Sequence, residues 1–171
     1  MRRMIQFAIS LAVWCAIAAM SSYAADTGVQ VQMDTSKAAP RSVESLTERA
    51  VLRDYRFAWA SMARALDSSS QDPLQGPFEG DAKTWLTNTV LSQQKSGLTQ
   101  RYLDQNHHVE AVFYSPEGDV LELHDTVQCQ VQISDGGKLV HDDRVTMHYV
   151  VLMTPGADRW VVRQLQAVPQ F

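Results

Sequence analysis

Asp125 is the one acid in the alternating apolar run Leu121, Leu123, Asp125, Val127, Cys129, Val131, Ile133. An ionised carboxylate facing a core is costly unless it gains a partner or a raised pKa. Two roles suit such a residue. As a general base it would take a proton from carbon beside a carbonyl, with a tyrosine hydroxyl stabilising the developing oxyanion. Tyr149 on the next strand, and Asp54 or Tyr55 on the covering helix, are the side chains that would join it. The plainer role is structural: a bulge at His124–Asp125 turns the carboxylate outward, or it sits at a wet rim. The sequence favours the plainer role, because no complete catalytic set accompanies the carboxylate.

Histidine offers the other chemistry. His107 and His108 are adjacent, so a strand sends them to opposite faces. His124 and His148 fall on one outer face and are expected directly opposite each other across two strands. A metal site needs a third or fourth ligand, and only Glu122 and Gln128 stand nearby, so neither metal nor cofactor is expected. His141, Asp142 and Asp143 read as a solvated hairpin end. No glycine-rich phosphate loop is present, nor a serine, histidine and aspartate in recognisable spacing.

The elements that must position these residues are legible in the periodicity. Leu52, Tyr55, Trp59, Met62, Ala63 and Leu66 mark one face of a helix from Ser45 to about Asp67, with Ser45-Leu46-Thr47-Glu48 in capping-box form. Asp81 starts a second helix, to about Ser96, with Ala82, Trp85, Leu86, Thr89 and Val90 inward and Gly97 after its end. From about His107 to Val168 four strands follow, joined at Ser115–Asp119, Asp135–Gly137 and Thr154–Ala157. Leu98 to Gln105 reads equally as a short strand or as part of the first one.

Odd-numbered residues are apolar in both the first strand (Val109, Ala111, Phe113) and the second. They share a face only if the connecting loop holds an odd number of residues. A three-residue Pro116–Gly118 loop, Gly118 left-handed, predicts Phe113 opposite Leu121, Ala111 opposite Leu123 and Val109 opposite Asp125. A three-residue Asp135–Gly137 loop predicts Ile133 opposite Leu139, Asp125 opposite Met147 and Leu123 opposite Tyr149. The third strand is apolar on both faces from Tyr149 to Met153. The outer face at His148, Val150 and Leu152 therefore needs a cover, either a dimer partner or the N-terminal segment.

Residues 1–24 have the order of an export signal: Arg2 and Arg3, an apolar stretch from Ile5 to Met20, then Ser22-Tyr23-Ala24 with small residues at −3 and −1. The apolar stretch is shorter than the roughly 20 residues a spanning helix wants. Cleavage after Ala24 predicts a periplasmic or extracellular protein with no stable membrane insertion. It removes Cys15, so Cys129 has no disulfide partner and reads as a small buried hydrophobe. It also lowers the basic count from 15 to 13 against 19 acids, a net charge of −6, which argues against nucleic acid as a partner. Residues 25–41 are polar and aperiodic and read as a flexible linker, leaving residues 42–171 as one α+β domain.

Asp54-Tyr55-Arg56-Phe57-Ala58-Trp59 in the first helix, Trp85-Leu86 in the second and the terminal Trp160-Val161-Val162-Arg163 complete a pattern. It resembles the nuclear-transport-factor-two-like superfamily of cone-shaped α+β domains, over about Ser45 to Val168. The resemblance implies two helices on the concave face of a strongly bent four-stranded antiparallel sheet. That superfamily hosts isomerases, dehydratases, cyclases and epoxide hydrolases, whose base is a carboxylate inside the cone. It also hosts members that only bind, and the nearest likeness is to these, the peripheral domains of organelle translocation and division proteins. Fold alone does not choose between them. The expectation is an exported binding module for a protein or a small apolar ligand. Tyr55, Trp59, Met62, Trp85 and Met147 would line or fill its cone, and its outer sheet face could pair two copies. A small lyase, isomerase or cyclase using Asp125 and Tyr149 is the alternative.

Overall fold

The apolar stripe of the first helix folds as read, as α1 (Ser45–Ser68), in a computed structural model that describes residues 28–171. Tyr55, Trp59, Met62 and Leu66 are all buried on one side. The helix stops where Ser69 turns left-handed (φ 48°) and the Ser70 amide returns to the Ala65 carbonyl. The expected capping box does not form. Glu44 is the cap residue, and no side chain closes the first turn. After a short 3-10 turn at Asp72–Leu74, α2 (Gly80–Ser96) buries Ala82, Leu86, Val90 and Gln93. Gly97 ends it at φ 72°, as the sequence predicts. Trp85 does not line the interior. It is 45% exposed, because the buried stripe runs through Ala82, Leu86 and Val90 and leaves Trp85 on the flank.

Among the described residues the sheet has six strands rather than four, and it is mixed rather than antiparallel. They are β1 (Gln30–Asp34), β2 (Ala39–Pro40), β3 (Leu98–Tyr114), β4 (Leu121–Asp135), β5 (Lys138–Pro155) and β6 (Trp160–Val168). The order is β1-β3-β4-β5-β6, and β2 also pairs β3. Both β1 and β2 lie parallel to β3, and the other pairs are antiparallel. Within the stretch expected as a linker, residues 25–41, Gln30–Asp34 and Ala39–Pro40 are strands, and 25–27 lie outside the described residues. Val29 and Val31 enter the core while Gln30 and Gln32 face out. That is period-two alternation in a strand of five residues, too short to stand out from its polar surroundings.

Gly118 keeps its expected conformation, but neither turn keeps its expected register. Tyr114 pairs with Leu121, so the β3–β4 loop holds six residues, Ser115 to Val120. A bulge at Val112 compensates for the even count: Ala111 still pairs with Leu123, but Phe113 now pairs with Glu122. Phe113 therefore lies on the face opposite Leu121, is 38% exposed, and yields its inward place to Tyr114. Gly118 (φ 78°) is left-handed as expected, and a Cβ there would lie 2.6 Å from Arg41 Nη1. At the β4–β5 end Gly136 and Gly137 (φ 54° and 85°) make a two-residue turn in which both central residues have positive φ. A register shift follows at once, so Ile133 opposes His141 rather than Leu139. From Ile133 back to Leu121 the offset is two residues, which leaves those side chains on their expected faces while changing their partners.

Candidate functional site

A third irregularity builds the site. Leu103 pairs with Gln130 and Asn106 with Gln128, so Asp104 and Gln105 together oppose one residue of β4. Asp104 takes φ 49°, which is unusual for a residue with a Cβ. The bulge switches the inward set of β3 from even to odd numbers. Tyr102 packs against the core before it; Gln105, His107, Val109 and Ala111 are buried after it. Bulges of this kind re-aim side chains.

The re-aimed side chains meet Asp125, which is inside. Its residue exposure is 0%, so neither an outward bulge at His124–Asp125 nor a rim position describes it. The Tyr55 hydroxyl donates to Asp125 Oδ2 at 2.6 Å, and His107 Nδ1 lies 2.7 Å from the same oxygen. His107 Nε2 faces Gln105 Oε1 at 3.4 Å. An imidazolium donates in both directions. A neutral ring protonated at Nδ1 would instead accept from a Gln105 amide turned end for end. Asp125 Oδ1 and Gln105 Nε2 have no partner among the described residues, so the cluster keeps spare hydrogen-bonding capacity.

Aromatic rings enclose it. The Trp59 ring lies 4.5 Å from that of His107 and 5.2 Å from that of Tyr149 (centroids). Burial and the adjoining Asp125 charge hold the Tyr55 phenol well above its ordinary pKa. Burial pushes the Tyr102 phenol up to about 12 and the Cys129 thiol up to about 11. Cys129 is thus a packed, inert side chain.

The other expected site residues disperse. Tyr149 sits directly opposite Asp125, a place the sequence reading gave to Met147, and its hydroxyl donates to Met147 Sδ at 3.4 Å. Asp54 serves elsewhere. It accepts from Arg53 and from the Trp160 amide at 2.8 Å, fastening α1 to the start of β6. Tyr55, Trp59 and Met62 are core, and Met147 is half-buried against it. His124 and His148 are not opposite each other. His124 faces Val150 and His148 faces Thr126, although both rings pack on Phe171. Val150 and Leu152 are half-buried on that outer face. Among the described residues no three His, Cys, Asp or Glu side chains converge as metal ligands, and no helix is long and apolar enough to cross a membrane.

Sequence reasoning found Asp125 and Tyr55 but passed over His107 and Gln105. His107 was findable: it is odd-numbered like Val109 and Ala111, so strand alternation alone sends it inward. Gln105 was not, because its orientation depends on the bulge.

No protein-family model matches the chain, and no curated protein matches it in sequence. Its fold is shared with a solved structure, the intermembrane-space region of the chloroplast protein ARC6 (TM-score 0.60, 14% identity, covering 70% of this chain and 95% of that one). At that identity the likeness is one of fold. It fits the expected resemblance to organelle-protein domains and leaves the wider cone-shaped superfamily unshown.

Proposed function

We propose that this chain is an exported, extracytoplasmic binding module whose polar interior is architectural rather than catalytic. One observation carries the reading. Tyr55 and His107 both bond to Asp125, with all three side chains sealed from solvent, so the carboxylate that would be the base is already engaged and has no open face toward a substrate. The likeness to an organelle domain that lies in an intermembrane space supports an extracytoplasmic setting. The half-buried outer face at His148, Val150 and Leu152 is where a second copy would pack.

A lyase, isomerase or cyclase reading draws on the unpartnered Asp125 Oδ1 and Gln105 Nε2. On that reading α1 lifts from the sheet to admit a carbonyl compound, and Asp125 takes the proton from its α-carbon. Deuterium uptake from D2O into a panel of carbonyl compounds separates the two. The binding module gives the uncatalysed rate with wild type and with Asp125→Asn alike. Exchange with wild type that Asp125→Asn abolishes would replace it with the enzyme.

A further inference from the structure

The solvent face of α1 carries Arg49, Arg53, Arg56 and Arg64 at near-helical spacing, all exposed, on a chain with a formal charge of −4. Beside that row runs β1, an edge strand of the sheet, which pairs only with β3 among the described residues. Between them lies a groove of about 610 Å³, walled by Val29 to Gln32 on one side and by Arg56, Phe57 and Ala60 on the other. A second hollow of about 300 Å³ shares Phe57 with it and adds the pairs Arg53–Asp54 and Arg159–Asp158.

Two features inside the groove say what fits. The Val31 carbonyl accepts from Arg56 Nη2 at 2.9 Å, so a side chain occupies a position on the strand edge that another strand's amide could take. Phe57 is 38% exposed and lies under the Arg159 guanidinium, 5.1 Å from its centroid. Arg159 is held by Asp158 and Arg53 by Asp54, so the cation available to a ligand in the groove is Arg56, whose partner is the Val31 carbonyl rather than a carboxylate. Resting on the binding-module reading, we infer that this groove receives an extended acidic segment of a partner protein, added as a strand along the free edge of β1. The segment's amide takes over the Val31 carbonyl. Arg56, released, pairs with the segment's carboxylate, and an apolar side chain lies on Phe57. One hydrogen bond is exchanged for another and an ion pair is gained, which is the usual arrangement of strand addition with charge-based selectivity.

The groove, rather than the arginines alone, points to a peptide. A flat anionic membrane would meet the arginine row but could not reach the Val31 carbonyl. The test selects a displayed library of random peptides, each about ten residues long and so able to span the edge, on the wild-type domain. Selected sequences should be rich in Asp and Glu, protect the Val31 amide region from hydrogen exchange, and weaken roughly tenfold or more with Arg56→Glu. Arg56→Lys should retain most of the binding, and circular dichroism checks that each variant is folded. Peptides without acidic enrichment, equal binding to folded Arg56→Glu, no enrichment at all, or a preference for phosphatidylglycerol vesicles over any peptide would each overturn the inference. None of these results would touch the binding-module reading, which fails only if Asp125-dependent exchange is found.

Discussion

Asp125 Oδ2 on β4 and His107 Nδ1 on β3 meet at 2.7 Å with both side chains at 0% exposure, and the Tyr55 hydroxyl reaches the same oxygen from α1. One oxygen thus joins two strands and the covering helix. Removing it leaves two buried donors without an acceptor, and the penalty for an orphaned buried group exceeds the net value of the bond it made. Asp125→Ala should therefore cost about 2–4 kcal/mol in urea unfolding. Asp125→Asn keeps an acceptor and should cost about 1–2 kcal/mol. A loss under about 0.5 kcal/mol for the alanine variant would mean that the cluster does not hold α1 to the sheet.

Alkaline conditions should destabilise this domain from about pH 9. Burial raises the Cys129 thiol from 9.0 to about 11 and the Tyr102 phenol from 10.0 to about 12, and raises Tyr55 and Tyr149 as well. In each case the folded pKa lies above the unfolded one. The unfolded chain then loses protons first, and the stability present below the unfolded pKa is lost as pH rises toward the folded value. Melting temperature should fall steadily between pH 9 and 11. Cys129→Ala should remove the earliest part of the fall, and Tyr55→Phe a part beginning near pH 10. A flat profile to pH 11 in wild type would refute the burial-based account.

How much of this was legible follows from what each feature depends on. Helix positions and sheet faces depend on period alone, so the α1 stripe and the inward placement of Leu123, Val127 and Cys129 could be read directly. Partners depend on counting loop residues, and three bulges defeat the count. The bulge at Val112 exchanges Phe113 for Tyr114, the irregularity after Ile133 moves Tyr149 opposite Asp125, and Asp104 turns Gln105 inward. The first two are hidden because bulges carry no fixed residue signature. The third involves an aspartate with positive φ; aspartate tolerates that conformation better than most residues, but nothing in the sequence sets this one apart from an ordinary strand residue. Asp125 itself needed a partner to be buried, and that partner was an inward histidine seen only as half of an adjacent pair.

The Gly118 turn gives a prediction that separates conformation from contact. Its φ of 78° disfavours any Cβ, and that Cβ would also crowd Arg41 Nη1 and the Tyr114 hydroxyl. Arg41 bonds to the Pro116 carbonyl at 3.1 Å and lies over the Tyr114 ring, so it cannot yield without losing both contacts. Gly118→Ala should cost about 1–2 kcal/mol by chemical denaturation. In an Arg41→Ala background the contact at 2.6 Å is gone while the Tyr114 hydroxyl at 3.0 Å stays, so the cost should drop toward about 1 kcal/mol, the conformational part with that lesser contact. An unchanged cost there would show that Arg41 was never in the way.

The bulge at Asp104 allows a sharper test, because it predicts a gain. Asp104 holds φ 49° on an exposed stretch of β3, and its one ion-pair contact, to Arg144 at 3.9 Å, joins two exposed side chains and contributes little. Glycine takes that conformation without strain, although it has more freedom to lose on folding. The strain relieved is about 1 kcal/mol and the entropy lost is about half of that or more, so Asp104→Gly should be neutral or stabilising by up to about 0.5 kcal/mol. Asp104→Val should be the opposite, costing about 1–2 kcal/mol, since a β-branched residue resists positive φ most. If the bulge is what turns Gln105 toward His107, the valine variant should also shift the His107 imidazole resonances in an NMR spectrum, and the glycine variant should leave them in place. Both variants giving the same spectrum and the same stability would mean that the bulge is set by the sheet register and that Asp104 has no part in aiming Gln105.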